Sequence, residues 1–175
     1  MDAPNPTDTQ SLVLGYKDEP GFDARAEANR QAIVDRIMEG VAIPAGGVLA
    51  EGFFGVSPKL KPESFDPEGA RKLLTEAGYP NGFGLTIHGP SDRYINDGRI
   101  IQTVAQMWSR IGIDAKVEAL PWATFASKAS NQEYSIYLVG WGSGTGETSS
   151  TLRSLLATFN KDTGMGQANR GRYSN

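Results

Sequence analysis

An α/β layer, with a mostly parallel sheet flanked by helices, is the fold class this sequence predicts. Three observations carry it. Segments of strand and helix pattern alternate as β-α-β-α-β between Gly84 and Gly140, the order that gives parallel strands joined by helical crossovers. The helical segments are punctuated where helices start and stop. The last strand, Tyr134 to Gly140, is a short apolar run of the kind that is buried, and it breaks abruptly into a glycine-rich loop.

The elements follow in order. Residues 1–22 are rich in Pro, Asp, Thr and Gly with one apolar cluster, Leu12-Val13-Leu14, and read as a tail or a short added strand. Ala26 to Glu39 predicts an amphipathic helix, since Ala28, Ala32, Ile33 and Ile37 recur at helical spacing and Gly40 closes it. Val41 to Phe65, studded with Pro44, Gly46, Gly47, Pro58 and Pro62, predicts a long ordered loop over the fold. The next helix has Asp66 as N-cap, Pro67 at its first position, Glu68 in its first turn, and Gly78 with Pro80 as its stop. Asn81-Gly82 turns into a strand over Gly84 to His88. Asn96 to Arg110 predicts a helix with Ile100, Ile101, Val104, Met107 and Trp108 on one face and Gly112 as its stop. Ile113 to Leu120 alternates as a strand, Pro121 to Ser130 reads as a helix, and Thr148 to Thr158 as the last one.

Composition bounds the function. The 175 residues suffice for one domain with a real core. With 17 basic and 20 acidic residues the net charge is −3, which gives no electrostatic case for nucleic acid or an anionic membrane. No cysteine is present, so disulfides, thiolate metal sites and cysteine nucleophiles are excluded together. His88 is the sole histidine, which excludes a multi-histidine metal site and makes a hydrolytic triad improbable. Gly142-x-Gly144-x-Gly146 follows a strand but lacks the spacing and lysine of a nucleotide loop. The expectation is a protein that is not an enzyme, with no cofactor and no metal. No apolar run approaches the roughly 20 residues of a membrane span. The N-terminus lacks a basic region followed by an apolar stretch, so no signal peptide is expected in this chain.

Five segments stand in an informative order: Asn29-Arg30-Gln31-Ala32-Ile33-Val34, the helix from Asp66 to Pro80, Arg110-Ile111-Gly112-Ile113, Ser135 to Glu147 with its Gly140-Trp141-Gly142, and Asn169-Arg170-Gly171-Arg172-Tyr173-Ser174-Asn175. Together they resemble the extracytoplasmic (periplasmic) solute-binding proteins of peptide/nickel-type ABC importers, family 5. The resemblance implies a periplasmic-binding-protein-like lobe. Its implied function is capture of a small polar solute, oligopeptide-like or a related conjugate, for hand-over to an ABC permease. It further implies that residues 23–175 are part of a C-terminal lobe, with 1–22 unmatched and the other lobe missing. The competing expectation is a stand-alone truncated or engineered interaction domain that retains no solute binding. Exposed lobe surface and open strand edges would then favour a homodimer.

Within this frame the candidate ligand-binding residues are Trp141, Gly142, Gly144, Glu147, Arg93, Tyr94 and Arg172. The loops of the first six leave the carboxyl ends of strands, where open α/β layers bind ligands, whereas Arg172 lies in the tail after the last helix. Two roles are open to four of them. Trp141 either stacks on a ligand or caps the core. Glu147 either pairs a cationic ligand group or serves as a helix N-terminal acid. Arg93 either clamps a carboxylate or phosphate, or pairs with Asp92 or Asp97. Tyr94 either packs or touches ligand, while Asn96 and Asp97 read as helix caps and His88 as a structural strand-end residue. Where peptide-binding relatives place an acid after Gly-Trp, this chain has Gly144, and Glu147 is the nearest acid. Asn169, Arg170, Arg172 and Tyr173 look like a binding loop in the family context.

Overall fold

The computed structural model describes residues 11–16, 29–62 and 64–174. Its elements are β1 (Ser11–Tyr16), α1 (Arg30–Arg36), α2 (Pro67–Glu76), β2 (Gly84–Pro90), α3 (Asp97–Ser109), β3 (Asp114–Leu120), α4 (Trp122–Ser130), β4 (Ile136–Trp141) and α5 (Thr148–Leu155). The strands form one sheet in the order β1-β4-β2-β3. β2 runs parallel to β3 and to β4, whereas β1 is antiparallel to β4, with Ser11 opposite Trp141 and Tyr16 opposite Ile136. The apolar cluster near the N-terminus thus belongs to an added strand, and the parallel sheet flanked by helices is the one expected.

Alternation along β4 sorts side chains into two cores. Ile136 and Leu138 join Ile87 under α3, whose Ile100, Ile101, Val104, Ala105 and Trp108 interlock with Ala70 and Leu74 of α2. Tyr137 and Val139 face the other way, onto Phe125 and Ala129 of α4 and onto Tyr134. Both sheet faces are therefore covered, and β4 has to be apolar throughout. Burying a Leu- or Phe-sized side chain contributes roughly 1.5–3 kcal/mol, so α3 and α4 hold the sheet from opposite sides.

Helix ends follow their sequence signals with two exceptions. The Asp66 carboxylate accepts from Gly69 N at 2.9 Å and Pro67 opens α2 as expected. α1 is shorter than its pattern: Asn29 accepts from Ala32 N at 2.9 Å and so starts the helix, and Glu39 and Gly40 sit at φ 52° and 77° beyond it; Ala26 to Ala28 lie outside the described residues. At α3 the expected caps behave differently. Asn96 is left-handed (φ 56°) and its amide donates to Ile37 O at 2.8 Å, tying α3 to the end of α1. Asp97 is buried, and its carboxylate collects the Arg93 and Tyr94 amides at 3.0 Å each and Gly98 N at 2.8 Å. It shapes the loop before α3 as well as capping its first turn. The 41–62 segment is a loop of turns, as expected, fastened at Phe54.

Candidate functional site at the carboxyl ends of the strands

Parallel strands deliver three loops to one end of the sheet: 91–96 after β2, Pro121 after β3, and 142–147 after β4. Backbone bonds lock the first two together, Ser91 N donating to Leu120 O at 2.9 Å and Trp122 N to Asp92 Oδ1 at 2.7 Å. Asp92 is thereby used as an acceptor at the start of α4. With Asp97 holding the Arg93 amide, neither acid pairs with the Arg93 guanidinium, which closes the ion-pair alternative. The guanidinium instead lies 5.0 Å from the Trp122 ring centroid, a cation–π contact worth about 0.5–1 kcal/mol at an exposed site.

Tyr94 joins this group to β4. Its ring meets Trp122 edge-on at 6.1 Å, and its hydroxyl donates to Gly140 O at 3.3 Å. A Cβ at Gly140 would lie 2.6 Å from the Tyr94 ring, so any larger residue there would displace Tyr94. Beyond Gly140, half-buried Trp141 donates its indole N–H to Thr151 Oγ1 at 3.2 Å, and Thr151 is fully buried in α5. The indole is thus anchored at its polar edge while part of its ring faces solvent.

The glycine loop is held from inside and open outside. Ser143, 4% exposed, donates to Glu147 O at 2.9 Å. Gly142 and Gly144 are exposed, and a Cβ on Gly144 would meet nothing within 4 Å. Gly146 takes φ 70°, a conformation that favours glycine. Glu147 is the N-cap residue of α5; its carboxylate makes no cap bond and accepts from Ser149 Oγ at 2.8 Å. Phe54 docks against this loop: its amide donates to Gly146 O at 3.1 Å, and its carbonyl accepts from Thr148 N at 3.0 Å and Thr148 Oγ1 at 2.9 Å. Its ring is nonetheless 81% exposed, a large aromatic surface fixed at the rim.

Arg172 is not brought to this end. Its guanidinium stacks 3.8 Å from the Phe159 ring centroid and binds the Gln132 amide oxygen through Nε at 2.8 Å. Gln132 lies past the far end of α4 from Trp122. The segment around it is fastened by Asn169, which is buried and donates to Ala157 O (3.1 Å) and Tyr173 O (2.7 Å) while accepting from Tyr173 N (2.9 Å). His88 stands in the middle of β2 rather than at its end. It stacks on Tyr134 (4.1 Å between centroids) and faces Glu118 Oε2 at 3.2 Å, so its surroundings are those of a packed residue under α4.

Trp122 and Phe54 were not singled out by sequence reasoning. The rule that pointed to the loops after β2 and β4 applies equally after β3, where Pro121-Trp122 opens α4. Phe54 has no comparable local signal, because its place depends on contacts more than 90 residues away, at Gly146 and Thr148. No group of three or more His, Cys, Asp or Glu placed to hold a metal occurs among the described residues.

What the end of the sheet offers is an exposed cation, four aromatic rings and an open glycine backbone. Among the described residues no nucleophile–base pair is assembled there. Residues 28–163 match the family described as bacterial extracellular solute-binding proteins, family 5 Middle. Glutathione-binding protein GsiB of Escherichia coli K12 is 33% identical over 137 residues, 75% of this chain and 26% of that protein. Heme-binding protein A of Haemophilus influenzae is 27% identical over 150 residues, 84% of this chain and 27% of that protein. The structure of HbpA2 from Haemophilus parasuis shares the fold, with a TM-score of 0.81 over 95% of this chain and 34% of that one at 24% identity. The chain spans about a quarter of the length of the curated relatives it matches. A match over most of its residues, on a fold common to such proteins, means that this chain belongs to the bacterial extracellular solute-binding proteins of family 5.

Proposed function

We propose that residues 23–175 form part of one lobe of an extracytoplasmic substrate-binding protein that captures a small, polar, peptide-like solute for an ABC permease. The observation that carries this reading is the rim at the carboxyl ends of the strands: Arg93 over Trp122, Tyr94 on Gly140, and Trp141 anchored to Thr151. Its chemistry suits a solute with both a carboxylate and flat or apolar parts. Arg93 presents a bidentate donor fork to the carboxylate, and the indoles supply contact area at small entropic cost. Glu147, at the N-cap position of α5 beside the open glycines, supplies the charge that would meet the amino end of such a solute. The two curated relatives named above bear glutathione and heme in their names, both carboxylate-bearing, and glutathione is itself a tripeptide. Arg172 has no part in this site.

Native mass spectrometry of the gently purified chain, followed by tryptophan fluorescence titration with glutathione and with short peptides, tests it. A stoichiometric extra mass or saturable quenching, weakened roughly tenfold or more in Trp141→Ala, is the expected result. Unchanged affinity in Trp141→Ala removes Trp141 from the site, and failure of every such solute to bind overturns the reading for this chain.

A further inference from the structure

The outer edge of β3 carries a ladder of backbone groups that no described residue uses. Asp114 N donates to Phe83 O, and Leu120 O accepts from Ser91 N, each at 2.9 Å. The even-numbered residues of β3 therefore turn their amides and carbonyls towards β2. Alternation then turns those of Ala115, Val117 and Ala119 outward, where no strand follows among the described residues. Five residues of this strand are exposed, in the pattern of an edge. Beside the edge an open groove of about 300 Å³ runs between β3 and α3, lined by Gln102, Ala105, Gln106, Ala115 and Val117 among others. An unpaired edge of this length is what native folds usually blunt.

On the opposite face the strand is charged. Lys116 is exposed and has no ion-pair partner among the described residues. Glu118 gives one oxygen to His88, and its side chain remains 47% exposed. The two charges stand on either side of Val117.

We propose that β3 pairs antiparallel with β3 of a second copy of this chain, in the register centred on Val117. In that register Val117 faces Val117, Ala115 faces Ala119, and Lys116 faces Glu118 on both sides of the two-fold axis. The outward groups match as well. The three pairs formed by residues 115, 117 and 119 each exchange two backbone hydrogen bonds. Other registers are poorer. Centring on Lys116 opposes lysine to lysine and Asp114 to Glu118, and centring on Glu118 opposes glutamate to glutamate. A centre between residues sets outward amides against inward ones. Centring on Ala115 opposes Asp114 to Lys116 but overlaps only three residues of each strand. The two-fold axis stands perpendicular to the sheet, so α3 of both copies lies on one side with the Val117 side chains between them, closing the groove. A contact of seven residues a side is small, so the dimer is weak and concentration-dependent.

Sedimentation of the 175-residue chain over a concentration series tests the pairing. The expected result is reversible dimerisation. Lys116→Glu and Glu118→Lys each oppose like charges twice, and each raises the dimer dissociation constant roughly tenfold or more. Mixing those two variants restores association as a heterodimer, because both facing pairs become unlike again. Val117→Pro deletes an outward amide without touching the ladder to β2, and removes the dimer while thermal stability is kept. A wild-type chain that stays monomeric at every concentration overturns the proposal. Hydrogen exchange at Val117 then tells whether another segment of the chain covers the edge (slow) or the edge stays open (fast). A dimer that survives all three substitutions overturns it equally.

Discussion

Tyr134 and His88 show how much one buried pair decides locally. The Tyr134 hydroxyl and His88 Nδ1 are both buried without a hydrogen-bond partner among the described residues, so the two rings meet through stacking and burial. Burial, then the Glu118 and Glu133 carboxylates, pushes the Tyr134 hydroxyl above its ordinary value of 10.0. Burial does the same to Tyr137, with Arg170 opposing it. Groups with raised folded-state values give stability that is complete below the unfolded pKa and lost as pH rises through the folded one. The melting temperature should therefore hold up to about pH 10 and fall above it. Tyr134→Phe should make that fall shallower. At neutral pH it should leave stability unchanged or raise it by up to about 1 kcal/mol, since an unbonded buried hydroxyl is removed. A steeper alkaline loss in Tyr134→Phe, measured by thermal melts from pH 7 to 11, would contradict this. Elsewhere the sequence leaves residue roles open, and neighbours close them: Arg93 stacks on Trp122 in place of an ion pair with Asp92 or Asp97, and Asp97 gathers amides.

Elements were the most legible scale, because their signals are local. Asp66, Pro67 and Gly78 bracket α2, and replacing Asp66 by Ala should cost about 1 kcal/mol in denaturant unfolding by stranding the Gly69 amide. The turn before β2 shows where local reading falls short. Asn81-Gly82 predicts a turn, and Gly82 does adopt φ 72°. What the sequence could not show is that the Gly82 and Gly112 backbones touch, the turn before β2 lying directly on the turn before β3. A Cβ at Gly82 would overlap Gly112 O, so Gly82→Ala combines a positive φ with a backbone clash. It should destabilise by more than about 2 kcal/mol. Gly98→Ala, where a Cβ would meet nothing within 4 Å, is the matched control and should be neutral or stabilising in the same unfolding assay. Equal losses in both variants would remove the clash as the cause.

Over the whole molecule, two long connections decide what the site becomes. The 41–62 loop is fastened to it where Phe54 bonds to Gly146 and Thr148. The C-terminal segment is held by Asn169 at its three bonds. Asn169→Ala should strip those bonds and leave buried partners unsatisfied, costing about 1–3 kcal/mol and speeding hydrogen exchange at the Tyr173 amide. Unaltered exchange there would mean that other contacts hold the segment. The α/β order, the helix faces, the parallel strands and the loops leaving their carboxyl ends were determined by the sequence alone, because hydrophobic period and capping act over a few residues. Sheet order, the edge left open at β3, the displacement of Arg172 to the far end of α4, and the arrival of Trp122 and Phe54 at the rim were decided by tertiary structure. Each of these depends on which distant segments share a face, and contacts made across tens of residues leave no period in the chain.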